Sequence, residues 1–187
     1  MKPGPTAVSP AVDLSASAAR LEAAENLFYQ RRFVRSLRRR MLVKDRLFPA
    51  RYDVSRLRGM RTVRAYDDRY IAPIYGFRDA EDYYERASAR HVVGRIAVPA
   101  LLVHAGDDPF IPVTERIREA VAANPLARLV VTERGGHVAF VAGDGALATG
   151  DPDRHWAENR VVEFLNLLEY NRARSRHRDP ARALVPY

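Results

Sequence analysis

The stretch Val98-Pro99-Ala100-Leu101-Leu102-Val103-His104-Ala105-Gly106-Asp107-Asp108-Pro109 decides the fold. Pro99 introduces a continuous apolar run, Ala100 to His104, of the kind that a parallel sheet buries on both faces. Gly106 lets the chain turn tightly out of that strand, and two carboxylates follow at once. Downstream, Val113 to Ala123 carries Ile117, Ala120 and Val121 at helical spacing, with Asn124-Pro125 as a stop. Arg128 to Glu133 reads as a second strand around Leu129, Val130 and Val131. Gly135-Gly136-His137 then turns, a glycine-rich loop runs to about Gly150, and a helix is expected from Asp153 to about Tyr170. Strand, helix, strand, loop and helix in succession predict an α/β fold with a parallel sheet.

Upstream, Thr6-Ala7-Val8 lies between Pro3-Gly4-Pro5 and Ser9-Pro10, so it has room only for the end of a strand. A domain that begins so abruptly reads as cut. From Leu14 to about Val43 the pattern is helical, as one helix or two, with Leu21, Leu27, Phe28, Phe33, Val34, Leu37 and Met41 near a common face. The other face carries Arg31, Arg32, Arg35, Arg38, Arg39 and Arg40 and is read as a solvated helix face, with an anion-binding surface as the rival. Residues 45 to 78, broken by Pro49, Gly59, Pro73 and Gly76, read as an irregular cap or connection. Asp79 starts a short helix, with Asp82 supporting the cap, that ends near Ser88. Residues 171 to 187 are basic and poor in apolar side chains, and a mobile tail is expected.

With 187 residues, 47% of them hydrophobic and 29% charged, the composition is that of one ordinary globular domain. The absence of cysteine removes disulfides, thiolate metal sites and a thiol nucleophile together. No apolar run has the length of a transmembrane segment and no signal-peptide pattern opens the chain, so a cytoplasmic location is expected. The charge of +8 is almost all arginine, since Lys2 and Lys44 are the only lysines. Such charge permits attraction to nucleic acid or anionic lipid. No nucleic-acid motif accompanies it, so no specific nucleic-acid partner is expected. His91, His104, His155 and His177 fall at no metal-like spacing, and neither a metal nor another cofactor is expected. His104, on the apolar strand, reads as a satisfied core residue; Trp156 reads as core under the last helix and Tyr83-Tyr84 as packing.

In open parallel sheets functional groups gather beyond the carboxyl ends of the strands. Here one strand end delivers Asp107-Asp108 and its neighbour delivers His137, the arrangement in which a carboxylate orients an imidazole for acyl transfer. Three groups of residues then resemble a known family. Val98 to Pro112 looks like the acid strand of α/β-hydrolases, and Gly135-Gly136-His137-Val138-Ala139-Phe140 looks like their histidine loop. Tyr66-Asp67-Asp68, Ala72-Pro73, Gly76-Phe77, Asp82-Tyr83-Tyr84 and Ser88 are similar to the YheT-type, embryogenesis-associated branch, a group of esterases and lipases. The likeness runs from about Ala7 to about Leu168.

That resemblance implies the C-terminal part of the α/β-hydrolase fold, with residues 1–170 as a partial domain. Its strands would be the sixth to eighth of the full sheet, 14–95 a helical cap insertion, 96–170 the acid strand, histidine loop and last helix, and 171–187 a tail. It makes Asp108 the catalytic acid, with Asp107 as the alternative, and His137 the general base. The nucleophile elbow, Gly-Xaa-Ser-Xaa-Gly on a strand-to-helix turn, is missing: Ser9, Ser15, Ser17, Ser36, Ser55, Ser88 and Ser175 all lack that setting. In the family the elbow and the oxyanion loop would lie upstream of Met1. The chain is therefore expected to be inactive alone, acting on a small acyl-ester substrate only when completed by an N-terminal half. The alternative is a non-catalytic remnant acting as a binding or partner protein. The isolated chain is expected to be poorly stable or to self-associate through the open sheet edge at Thr6 to Val8.

Overall fold

The structure, a computed structural model, describes residues 4–49, 51–143 and 150–177. In chain order its elements are β1 (Thr6–Val8), α1 (Leu14–Glu22), α2 (Leu27–Leu47), α3 (Val63–Tyr66), α4 (Ala72–Ile74), α5 (Ala80–Ala87), α6 (Arg90–Val93), β2 (Ala100–Ala105), α7 (Glu115–Ala122), β3 (Ala127–Thr132) and α8 (Trp156–His177). The class is α/β, an open sheet of three parallel strands in the order β1-β2-β3, together with helices. Contacts divide the chain into two compact units. One comprises 1–10, 93–108 and 119–187; the other comprises 11–92 and 109–118.

The first unit is built on the sheet. All six residues of β2 are buried, which explains why its sequence is a continuous apolar run where an exposed face would have left alternation. Leu101, Val103 and Ala105 share one face and pack with Phe140 and Ala157, flanked by Val8, Val130, Trp156 and Phe164. Asn124 ends the segment after α7 in place: its side-chain amide donates to the carbonyls of Val93 (2.8 Å) and Ile96 (2.9 Å). Helix α8 continues to His177, beyond the expected end at Tyr170. Asn171 to Arg176 contain neither glycine nor proline, and their three arginines and one alanine are good helix formers that propagate a helix once it has begun. Residues 178–187 of the expected tail lie outside the described residues.

In the second unit the expected helical region is two helices. Asp13 caps α1 by accepting from the Ala16 N–H. Asn26, almost wholly buried, separates α1 from α2 and donates to the carbonyls of Arg20 (2.9 Å) and Pro109 (2.6 Å). The buried face of α2 is Gln30, Val34 and Met41; Val34 and Met41 pack with Leu57, Met60, Tyr66 and Tyr70. Phe28, expected on the apolar face, is 71% exposed.

Residues 45–78 are also more ordered than their breakers suggest. A helical path runs from Val63 to Ile74 and passes through Pro73, because Asp67–Ile71 widen into a π turn in which the Ala72 N–H reaches the Asp67 carbonyl. That wider turn accommodates a proline that has no N–H to contribute. Asp79 caps α5 by accepting from the Asp82 N–H at 2.8 Å. Tyr84 is buried and its hydroxyl donates to Asp67 at 2.6 Å.

The β1 edge has an identifiable open side. Pro5 O and Ser9 N bond to Leu101 and Val103 of β2, so by the alternation of a parallel ladder the peptide groups of Thr6 and Val8 point away from the sheet. We expect self-association that deepens with concentration in sedimentation velocity, and Thr6→Pro, which removes one outward N–H, should shift the population toward monomer. A wild-type chain that stays monomeric at every concentration would refute this use of the edge.

Candidate active site

Strands β2 and β3 pair in register from Ala100 opposite Ala127 to Ala105 opposite Thr132. Both therefore end at one level, and the loops that follow leave the same edge of the sheet. The Gly106 N–H donates to the Thr132 carbonyl at 2.7 Å, tying the two exits together.

The two adjacent acids then divide. Asp107 Oδ1 accepts from the N–H groups of Gly135 and Gly136, both at 2.9 Å. Asp108 turns inward: its side chain is fully buried and its Oδ2 lies 2.9 Å from His137 Nδ1. Thus Asp107 holds the backbone of the histidine loop while Asp108 engages the ring. The His137 side chain keeps 37% of its surface exposed. A neutral imidazole that donates from Nδ1 carries its lone pair on Nε2, so the contact selects Nε2 as the basic nitrogen.

Packing fixes the loop independently of these contacts. Gly136 has a left-handed backbone (φ 62°), and a β-carbon on Gly135 would lie 2.6 Å from the Phe140 ring and 3.0 Å from the Ala105 β-carbon. Phe140 folds back into the core. Its N–H donates to the Gly135 carbonyl and its carbonyl accepts from the Trp156 N–H, each at 3.1 Å. The two rings stack with centroids 6.2 Å apart. Trp156 is thus partly buried against the core at the start of α8. Sequence reading singled out His137 without assigning Phe140 a task; the available signal was a large apolar residue three positions after a glycine-glycine-histidine turn.

Two other residues differ from expectation. His104 is completely buried, but neither ring nitrogen has a hydrogen-bond partner among the described residues, so it is a core residue without being a satisfied one there. Burial holds its pKa below the ordinary imidazole value; the charge on Asp108 opposes that shift and His137 adds to it. Ser9 follows β1 with φ 47°, a left-handed conformation that the sequence does not announce. Its hydroxyl is buried without a partner and Pro10 follows it, so no base addresses it and no helix begins there.

The chain is 32% identical over 154 residues to "Putative esterase YheT" of Escherichia coli (strain K12), a match that covers 81% of this chain and 44% of that protein. It is 32% identical over 149 residues to "Embryogenesis-associated protein EMB8" of Picea glauca, covering 78% of this chain and 32% of that protein. With "Monoacylglycerol lipase" of Saccharomyces cerevisiae it shares 36% identity over 112 residues, 60% of this chain and 23% of that one. The chain thus spans less than half the length of these relatives. No family model matches it, and no solved structure matches it significantly. Among the described residues no helix is long and apolar enough to cross a membrane.

Two outcomes follow from the site's geometry. Gly135→Ala should displace Phe140 and cost about 1–3 kcal/mol in denaturant unfolding, as overpacking does; an unchanged midpoint would show that the close approach is not tight. His104, whose pKa is lowered in the folded state, binds fewer protons folded than unfolded below an ordinary imidazole pKa of about 6.5. Its contribution is therefore complete above that pH and is lost as pH falls, so thermal stability should drop between pH 7.5 and pH 5.5, and His104→Leu should flatten the drop. An equally steep profile in the variant would place its origin elsewhere.

Proposed function

Since this chain belongs to the α/β-hydrolase family, we propose that Asp108 and His137 are the acid–base pair of a Ser-His-Asp triad hydrolysing carboxylic esters, with the serine and oxyanion donors supplied from outside these 187 residues. The observation that carries this reading is the buried Asp108 carboxylate on His137 Nδ1, with Asp107 committed to the loop backbone. The names of several relatives, esterases and lipases, support the substrate class.

The chemistry divides into two transfers. As the serine hydroxyl attacks the ester carbonyl carbon, its proton passes to His137 Nε2 and the carbonyl oxygen becomes an oxyanion. Asp108 stabilises the imidazolium so formed and keeps the ring from rotating. Collapse of the intermediate breaks the bond to the alkoxy group, which leaves with the proton from Nε2. Water then attacks the acyl-serine, again giving a proton to Nε2, and the carboxylic acid departs as the serine recovers that proton. Binding of the oxyanion by preorganised donors supplies a large share of such catalysis, which is why His137 without those donors is expected to do little.

The chain alone should hydrolyse p-nitrophenyl acetate no faster than free imidazole at the same concentration. Supplied in trans with a segment that carries the Gly-Xaa-Ser-Xaa-Gly elbow, it should gain turnover that falls about ten-thousandfold in Asp108→Asn, the scale seen when the orienting acid of a triad is lost. Asp107→Asn should act mainly on stability. Fast hydrolysis by the chain alone that disappears in His137→Ala would reveal an internal nucleophile and refute the division of the triad.

A further inference from the structure

A groove lies along α2, within the unit that holds neither Asp108 nor His137. Along this helix Leu27, Arg31, Arg35 and Arg39 recur at four-residue spacing, and Val34, Arg38 and Leu42 form the adjacent row. Together with Met60, Arg61 and Thr62 these rows line a groove of about 640 Å³, within the range that holds a small ligand. Arg38 belongs to the architecture, since its guanidinium donates to the carbonyls of Leu57 (3.0 Å) and Met60 (3.5 Å) and so holds the far wall against the helix.

The other guanidiniums of the groove are uncommitted. Arg31, Arg35, Arg39 and Arg61 make no ion pair or hydrogen bond among the described residues, and no acidic side chain lines the groove. The floor beneath them is mainly apolar: Val34 and Met60 are buried there beside Gln30, whose side-chain oxygen accepts from the Val63 N–H, and Leu42 at 48% exposure and Leu27 at 41% lie open to it. Four forked cations over an aliphatic floor match a molecule with both an anionic head and a hydrocarbon stem. Inorganic phosphate would use only the arginines. A nucleic-acid backbone would use the charge and leave the aliphatic surface wet.

We infer that this groove binds an anionic acyl lipid, its phosphate or carboxylate head among Arg31, Arg35, Arg39 and Arg61 and its chain along Val34, Met60 and Leu42. The site stands whether or not the triad reading does.

The test uses the full chain and dodecyl phosphate below its micelle concentration, followed by calorimetry, with inorganic phosphate as the headgroup alone. Dodecyl phosphate should bind at least about tenfold more tightly than phosphate. The combined change Arg31→Glu, Arg35→Glu and Arg39→Glu should abolish that binding. The control change Arg32→Glu, Arg40→Glu and Arg51→Glu, which lowers the net charge equally at exposed positions off the groove, should leave it within about threefold. Leu42→Asn should weaken dodecyl phosphate without altering phosphate. Flotation with phosphatidylcholine vesicles, with and without phosphatidylglycerol, separates the sources: groove-dependent flotation on the anionic vesicles assigns the lipid to a bilayer, and none assigns it to the free monomer. Circular dichroism confirms that each variant is folded. Equal binding of phosphate and dodecyl phosphate, equal losses in the two triple variants, or tighter binding of a DNA duplex through the same arginines would each overturn the inference.

Discussion

The in-register parallel pairing of β2 with β3 is the constraint on which the rest of the first unit depends. Because Ala105 and Thr132 are partners, Asp107-Asp108 and Gly135-Gly136-His137 must emerge beside each other, whatever their side chains later do. The pairing in turn depends on burial: Leu101, Val103 and Phe140 each withdraw an apolar side chain from water, worth about 1.5–3 kcal/mol apiece. The Asp108–His137 contact adds less in net terms, since removing the carboxylate from water offsets much of what its hydrogen bond to the ring gains. Packing and the Asp107 cap therefore position the histidine loop, and the contact with Asp108 can be used for chemistry without the loop depending on it for its place.

What the sequence made legible was local. Strand β2 was readable because an unbroken apolar run between Pro99 and Gly106 has few other destinations, and Asp108 and His137 were readable because each follows a strand by a fixed short turn. The choice between Asp107 and Asp108 was not settled by spacing, since both are within reach of the neighbouring loop; the two glycine N–H groups that capture Asp107 exist only once the loop has folded. The apolar face of α2 was legible in part. Val34 and Met41 are buried as their spacing suggests, whereas Leu27, Phe28 and Phe33, which satisfy the same helical period, are exposed, because Leu57, Met60, Tyr66 and Tyr70 cover only the Val34–Met41 side of the helix.

Breakers were overvalued where a non-standard turn absorbs them. Pro73 reads as the end of a helix under the ordinary hydrogen-bond pattern, and the π turn at Asp67–Ile71 removes the conflict. The same short stretch also anchors its unit electrostatically. Asp67, whose pKa burial raises, accepts from the Tyr84 hydroxyl, and Arg64 reaches both Glu22 and Glu81 while its guanidinium lies over the Tyr84 ring. A proline and a row of charges that look like loop composition thus belong to an ordered, cross-linked part of the helical unit.

The polar atoms that the sheet leaves unbonded have a pattern of their own. Val8 pairs with Val103, so Ser9 and His104 are the next residues along neighbouring strands, and both bury polar atoms without partners at the end from which Asp108 emerges. Each such atom costs about 1–3 kcal/mol relative to a bonded one, and leucine or valine at position 104 would suit the surrounding apolar strand better. Ser9 adds a left-handed backbone to that cost. An interior optimised only for stability would not concentrate three unbonded polar atoms and a strained residue at one sheet edge while the remainder of β2 is purely aliphatic. They lie beside the buried Asp108 carboxylate that engages His137, and unsatisfied or strained groups of this kind cluster at functional sites in proteins generally.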